Sequence, residues 1–175
     1  MWQGRIQRLQ TEPTNKKKFI FVVLPQYSAM TFAMAMETLR LANRMSAGTP
    51  FEWVVCSENG EPVSDSLGAQ VPIDQGLEGC GRDDTVIVCS GANVRNNCTP
   101  ALLAWIRRAA RQGAAIGGLH TGAWVMAQAG LMDGLPVTIH WENRNSFAEE
   151  FPDVELSEYT YCVQNRRYST AGGTA

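Results

Sequence analysis

The chain holds two histidines, His120 and His140, and both fall where an apolar run gives way to the next element. His120 lies in Gly117-Gly118-Leu119-His120-Thr121-Gly122-Ala123-Trp124. Small residues on both sides allow a strand to bend sharply into a helix. The residue at the tip is then pushed outward, above a helix N-terminus that favours negative charge. Enzymes of this build present Ser or Cys at such an elbow. A histidine there can act as a base, a hydrogen-bond donor or a metal ligand, and rarely serves alone as the nucleophile of acyl transfer. His120 is thus read either as a ligand-contacting group or as a structural residue satisfied by its neighbours. His140 either stands beside it, at the end of the following strand, or is hydrogen-bonded within the core. As a general base on water, with or without His140, His120 would give hydrolytic or hydrating chemistry.

Other polar groups gather at predicted strand ends. The loop Ser90-Gly91-Ala92-Asn93 can offer backbone N–H groups to a carboxylate, or can be an ordinary strand-to-helix turn. Glu37 either receives a cationic ligand group or pairs with Arg40 at i+3. Tyr27, Phe32, Trp124 and Trp141 either cage a quaternary ammonium or form core. Nothing in the spacing of His120, His140 and Cys89 supports a metal site, and no cofactor is implied.

These groups need a scaffold. Phe19–Leu24 is a continuous apolar run, as expected of a strand buried on both faces. Pro25-Gln26-Tyr27 breaks it, and Ser28 caps a helix reaching about Met45. Phe51–Cys56 and Thr85–Cys89 read as strands, with weak strands over Val63–Asp74 between them. Thr99-Pro100 opens a helix that Gly113 closes. Ala114–Gly118 forms the strand before the elbow, and Gly122–Gly130 the helix after it. Pro136–Ile139 reads as a strand, Asn143–Phe151 as a short helix, and Val154–Leu156, Tyr159–Val163 and Tyr168–Thr170 as strands, the last two joined around Asn165. Strands alternating with helices predict a mostly parallel, doubly wound α/β sheet with helices on both faces. Such sheets bind ligands beyond the carboxyl ends of their strands. That rule gathers Tyr27, Gly91, Ala92, Asn93, His120, Thr121, His140, Trp141 and Gly172 on one rim.

A chain of 175 residues is one domain by default, and its net charge of −2 gives the domain no electrostatic reason to bind nucleic acid by itself. Five cysteines without a Cys-x-x-Cys pair argue against a disulfide framework or structural zinc and for a cytoplasmic protein. No signal peptide and no membrane span are expected.

The elbow, followed by Ala129-Gly130-Leu131-Met132-Asp133-Gly134 and Val137-Thr138-Ile139-His140-Trp141-Glu142, resembles the class I glutamine-amidotransferase-like (PfpI-like) domain found at the N-terminus of AraC-type transcriptional regulators. Leu24–Ser28, Glu37–Asn43, Phe151–Glu155 and Ala171–Thr174 match the same pattern. The resemblance implies a flavodoxin-like domain over residues 18–175, after a polar leader of residues 1–17. It implies a homodimer that senses a small amino-acid-like or betaine-like effector without turnover. Relatives known to sense arginine, carnitine and glycine betaine belong to this group. DNA would be bound only through a C-terminal helix-turn-helix domain absent from this chain, which is expected to stop before the sensor's last helix. Enzymes of the wider superfamily carry cysteine at the elbow. His120 stands there instead, so thiol chemistry does not carry over and a binding role is expected.

Overall fold

The computed structural model describes residues 16–171. Most of the polar leader and Gly172 lie outside that range. The main sheet starts with β1 (Lys17–Val23), whose apolar run is split between two cores. Ile20 and Val22 point to one, and Phe21 and Val23 to the other. The second core is roofed by α1 (Ala29–Met45), which begins where the Ser28 hydroxyl accepts from the Thr31 N–H. β2 (Phe51–Cys56) and β3 (Thr85–Cys89) flank β1, both parallel to it.

On the first core lies α2 (Pro100–Gln112), capped by the Thr99 hydroxyl and closed by Gly113 at φ 99°. β4 (Ala115–Leu119) pairs parallel to β3 and feeds α3 (Gly122–Gln128), which is buried along its apolar face. After β5 (Pro136–Val137) come α4 (Arg144–Glu150), β6 (Glu155–Leu156), β7 (Tyr161–Gln164) and β8 (Arg167–Thr170). β8 extends the sheet parallel to β4, and β7 closes the edge antiparallel to β8. The hairpin between them turns through Asn165 and Arg166, both with positive φ, as a two-residue turn matched to strand twist requires. The order β2-β1-β3-β4-β8-β7 is that of a mostly parallel, flavodoxin-like sheet with helices on both faces.

Two expectations need correction. The strand predicted over Pro136–Ile139 is cut to Pro136–Val137, which pairs with β6 in a separate two-stranded sheet. It ends because the Thr138 N–H donates to the Ser169 hydroxyl at 3.1 Å instead of to a strand. The weak strands over Val63–Asp74 are reduced to isolated bridges such as Ser64 with Gln70. A turn at Gly68, with φ 83°, interrupts that stretch. Among the described residues, no helix is long and apolar enough to cross a membrane.

Candidate functional site

Three adjacent strands, β1, β3 and β4, end in loops that each hold a non-glycine residue in the left-handed region. These are Gln26 at φ 60°, Asn93 at φ 55° and His120 at φ 60°. Each such residue costs ~1–2 kcal/mol, and such conformations gather where surrounding structure over-determines them.

Glycines make the elbow possible. A Cβ on Gly118 would sit 2.5 Å from the Gly122 carbonyl carbon, and one on Gly122 would sit 2.4 Å from the Val88 carbonyl oxygen. Strand, turn and helix are therefore in backbone contact. Gly91 closes the neighbouring loop in the same way, since a Cβ there would meet the Gln26 carbonyl oxygen at 2.1 Å. The buried Thr121 hydroxyl donates to the Gly91 carbonyl at 2.7 Å and ties elbow to loop. On the outer side the Asn93 amide donates to the Gln26 side chain at 2.6 Å.

On this base the two histidines meet. Their rings stack at 4.0 Å between centroids with 15° between planes, and the His140 N–H donates to the His120 carbonyl at 3.4 Å. His120 is half-buried and His140 is buried. Burial first, and the neighbouring His140 second, push the His120 pKa down to about 4. His120 is consequently neutral at physiological pH and offers one donor and one acceptor nitrogen. Glu142 stands 3.7 Å from the His140 Nδ1.

Several buried polar atoms near these strand ends have no hydrogen-bond partner: the Tyr27 hydroxyl, Ser90 Oγ, and Nδ1 of both His120 and His140. A buried polar group left unpaired costs about 1–3 kcal/mol, and the nitrogens of the stacked His120 and His140 rings are the two such atoms brought side by side, where a further polar atom can meet them. No group of three or more metal-ligating side chains exists among the described residues.

The other predicted site residues separate. Ala92 and Asn93 are exposed, but the Ala92 N–H already donates to the Gln26 carbonyl, so the oxyanion-type loop expected at Gly91–Asn93 lacks that donor. Glu37 is held in an ion pair with Arg40 on an exposed face of α1. The aromatic cage expected from Tyr27, Phe32, Trp124 and Trp141 does not form as a unit. Tyr27 is fully buried edge-on to Phe32, and Trp124 packs against Phe147 and Phe151. Tyr27 and Phe32 belong to the core under α1 and Trp124 to the core on the other face of the sheet, so their rings are withdrawn from the rim. Trp141 alone is exposed, at 63%, with its ring 5.7 Å from that of His140.

Sequence reasoning missed Ser90 as a side chain and Thr138, whose buried hydroxyl is also unpaired. The period of two along Thr138-Ile139-His140 was the available signal, since alternate residues share a face of an extended segment.

Residues 17–174 match the family model described as the DJ-1/PfpI family. The chain is 40% identical over 157 residues to the HTH-type transcriptional regulator CdhR of Pseudomonas aeruginosa, covering 90% of this chain and 46% of that protein. It is 34% identical over 161 residues to the HTH-type transcriptional regulator GbdR of the same species, covering 92% of this chain and 44% of that protein. The chain thus spans about half the length of the curated relatives it matches. An AraC family transcriptional regulator from Pseudomonas putida superposes with a TM-score of 0.77 at 28% identity, covering 89% of this chain and 84% of that one.

Proposed function

The chain belongs to the DJ-1/PfpI family, and from that premise we propose that it is the effector-sensing domain of an AraC-type transcriptional regulator. The effector is a small amino-acid-like or betaine-like metabolite, bound without turnover at the elbow. The observation that carries this reading is the stacked His120–His140 pair, with its unpaired buried nitrogens, above backbone contacts that admit only glycine. A neutral imidazole at the tip of the turn binds polar groups but does not supply the thiolate that covalent chemistry at such an elbow uses. Effector binding would shift a homodimer between two arrangements and so alter DNA binding by a helix-turn-helix domain outside residues 18–175. The protein would act in the cytoplasm.

A thermal-shift screen of amino acids, betaines and acyl-carnitine-like compounds tests this. A binder raises the melting temperature with concentration, and His120→Ala weakens the response. A screen with no stabilising compound would sink the reading. Turnover of a model amide or ester that vanishes in His120→Ala would instead establish the hydrolase alternative, with His120 as general base.

A further inference from the structure

A cavity of about 300 Å³ opens between the turn Val94–Asn97, α3 and the start of α4, and neither His120 nor His140 lines it. Its wall holds one charged side chain, Arg95, together with Asn96, Trp124, Asn143 and Ser146. The Arg95 guanidinium lies over the Trp124 ring, 4.6 Å from its centre, and a stacked guanidinium keeps its N–H edge free to donate. Trp124 is 1% exposed, and its indole N–H, which can only donate, has no partner. An unpaired buried donor is costly, so this one calls for an acceptor that the chain does not supply. The Ser146 hydroxyl donates to the Asn143 carbonyl at 3.1 Å, and the amides of Asn96 and Asn143 add further N–H groups. Cationic and neutral donors thus come from three separate segments. A planar carboxylate is matched by one guanidinium fork, whereas donors on several sides suit an anion with oxygens all round. Glu150 does not line the cavity, but holds Arg95 at 3.0 Å in an ion pair whose side chains are 56% and 38% exposed. A pair that open is worth little, so an anion in the cavity can draw Arg95 away from it.

We propose that this cavity binds a phosphate group, either of a small molecule or as free phosphate, with Arg95 exchanging its Glu150 partner for the anion and the Trp124 indole N–H donating to it. The site is independent of the effector-sensing reading, since its residues are not those of the stacked histidine pair. The ion pair then acts as a competitor, because Glu150 and the bound anion share one guanidinium.

The test follows the Trp124 indole N–H by nuclear magnetic resonance in the whole chain, its signal being one of 5 from tryptophan and assigned by its loss in Trp124→Phe. Inorganic phosphate and glycerol 3-phosphate are titrated at constant ionic strength, with acetate as the planar control. Saturable movement of that signal by phosphate is expected, tighter for whichever source the cavity serves, with acetate about tenfold weaker or more. Arg95→Gln should weaken binding about tenfold or more, whereas Glu150→Gln should tighten it about threefold by freeing Arg95. Both variants change exposed side chains and remove the same ion pair, so effects in the same direction overturn the exchange and with it the proposal. So do acetate binding as tightly as phosphate and the absence of saturation by both phosphates. Loss of phosphate binding in His120→Asn overturns it too, by moving the anion to the elbow, while effector sensing there stands or falls by its own screen.

Discussion

Replacing His120 by Asn isolates the cost of keeping an imidazole in this elbow. Asparagine tolerates the left-handed φ of 60° that the turn imposes, so backbone strain changes little. The folded-state pKa of His120 is lowered from 6.5 to about 4, by burial and then by His140. The unfolded chain therefore takes up the proton first as pH falls. Stability from the neutral ring is fully present above pH 6.5 and is lost as pH drops towards 4. At 1.36 kcal/mol per pH unit the fall from 6.5 to about 4 corresponds to ~3.4 kcal/mol. The ring keeps part of its solvent, and screening there cuts the figure to about 1.5 kcal/mol. Urea unfolding of both proteins at pH 7.5 and pH 4 gives the double difference. The wild type should lose about 1.5 kcal/mol more than His120→Asn over that interval. Equal losses would refute a buried neutral imidazole at the turn. A smaller loss in the wild type would mean that the proton is taken up by the folded state.

Gly91→Ala places a Cβ against the Gln26 carbonyl and should cost about 2 kcal/mol or more in urea unfolding, whereas Gly79→Ala, with open space around it, should be close to neutral. Thr121→Val keeps the shape but leaves the Gly91 carbonyl unpaired, so a loss of about 1–2 kcal/mol is expected and a loss near zero would remove this tie between elbow and loop. Burial raises the Cys56 and Cys98 thiols to about 11 and the Cys89 thiol further still. Labelling by a thiol reagent at pH 8 should accordingly leave all three largely unmodified in the native protein and modify them on unfolding. Rapid native labelling of Cys89 would contradict its place in the core.

What the sequence reveals is what backbone and burial dictate locally. The unbroken apolar run of β1 shows a strand covered on both faces, and Thr99-Pro100 with Gly113 brackets α2 to the residue. Gly117, Gly118 and Gly122 announce the elbow because only bare backbone packs that closely. Contacts between distant side chains were not legible. Strand ends set His120 and His140 on one rim, but that their rings stack face to face depends on where the segment after β5 settles beside the elbow, and no spacing encodes it. Tyr27 and Trp124 look like rim residues by position, yet the cores on either side of the sheet take their rings.

Nuclear magnetic resonance of the histidine side chains and the Gly91 amide during titration with a stabilising metabolite tests effector binding at the elbow most directly. Saturable shifts of His120 and His140, with a common dissociation constant and with the Gly91 signal moving alongside, are predicted. Saturable binding that leaves all three signals in place would contradict it.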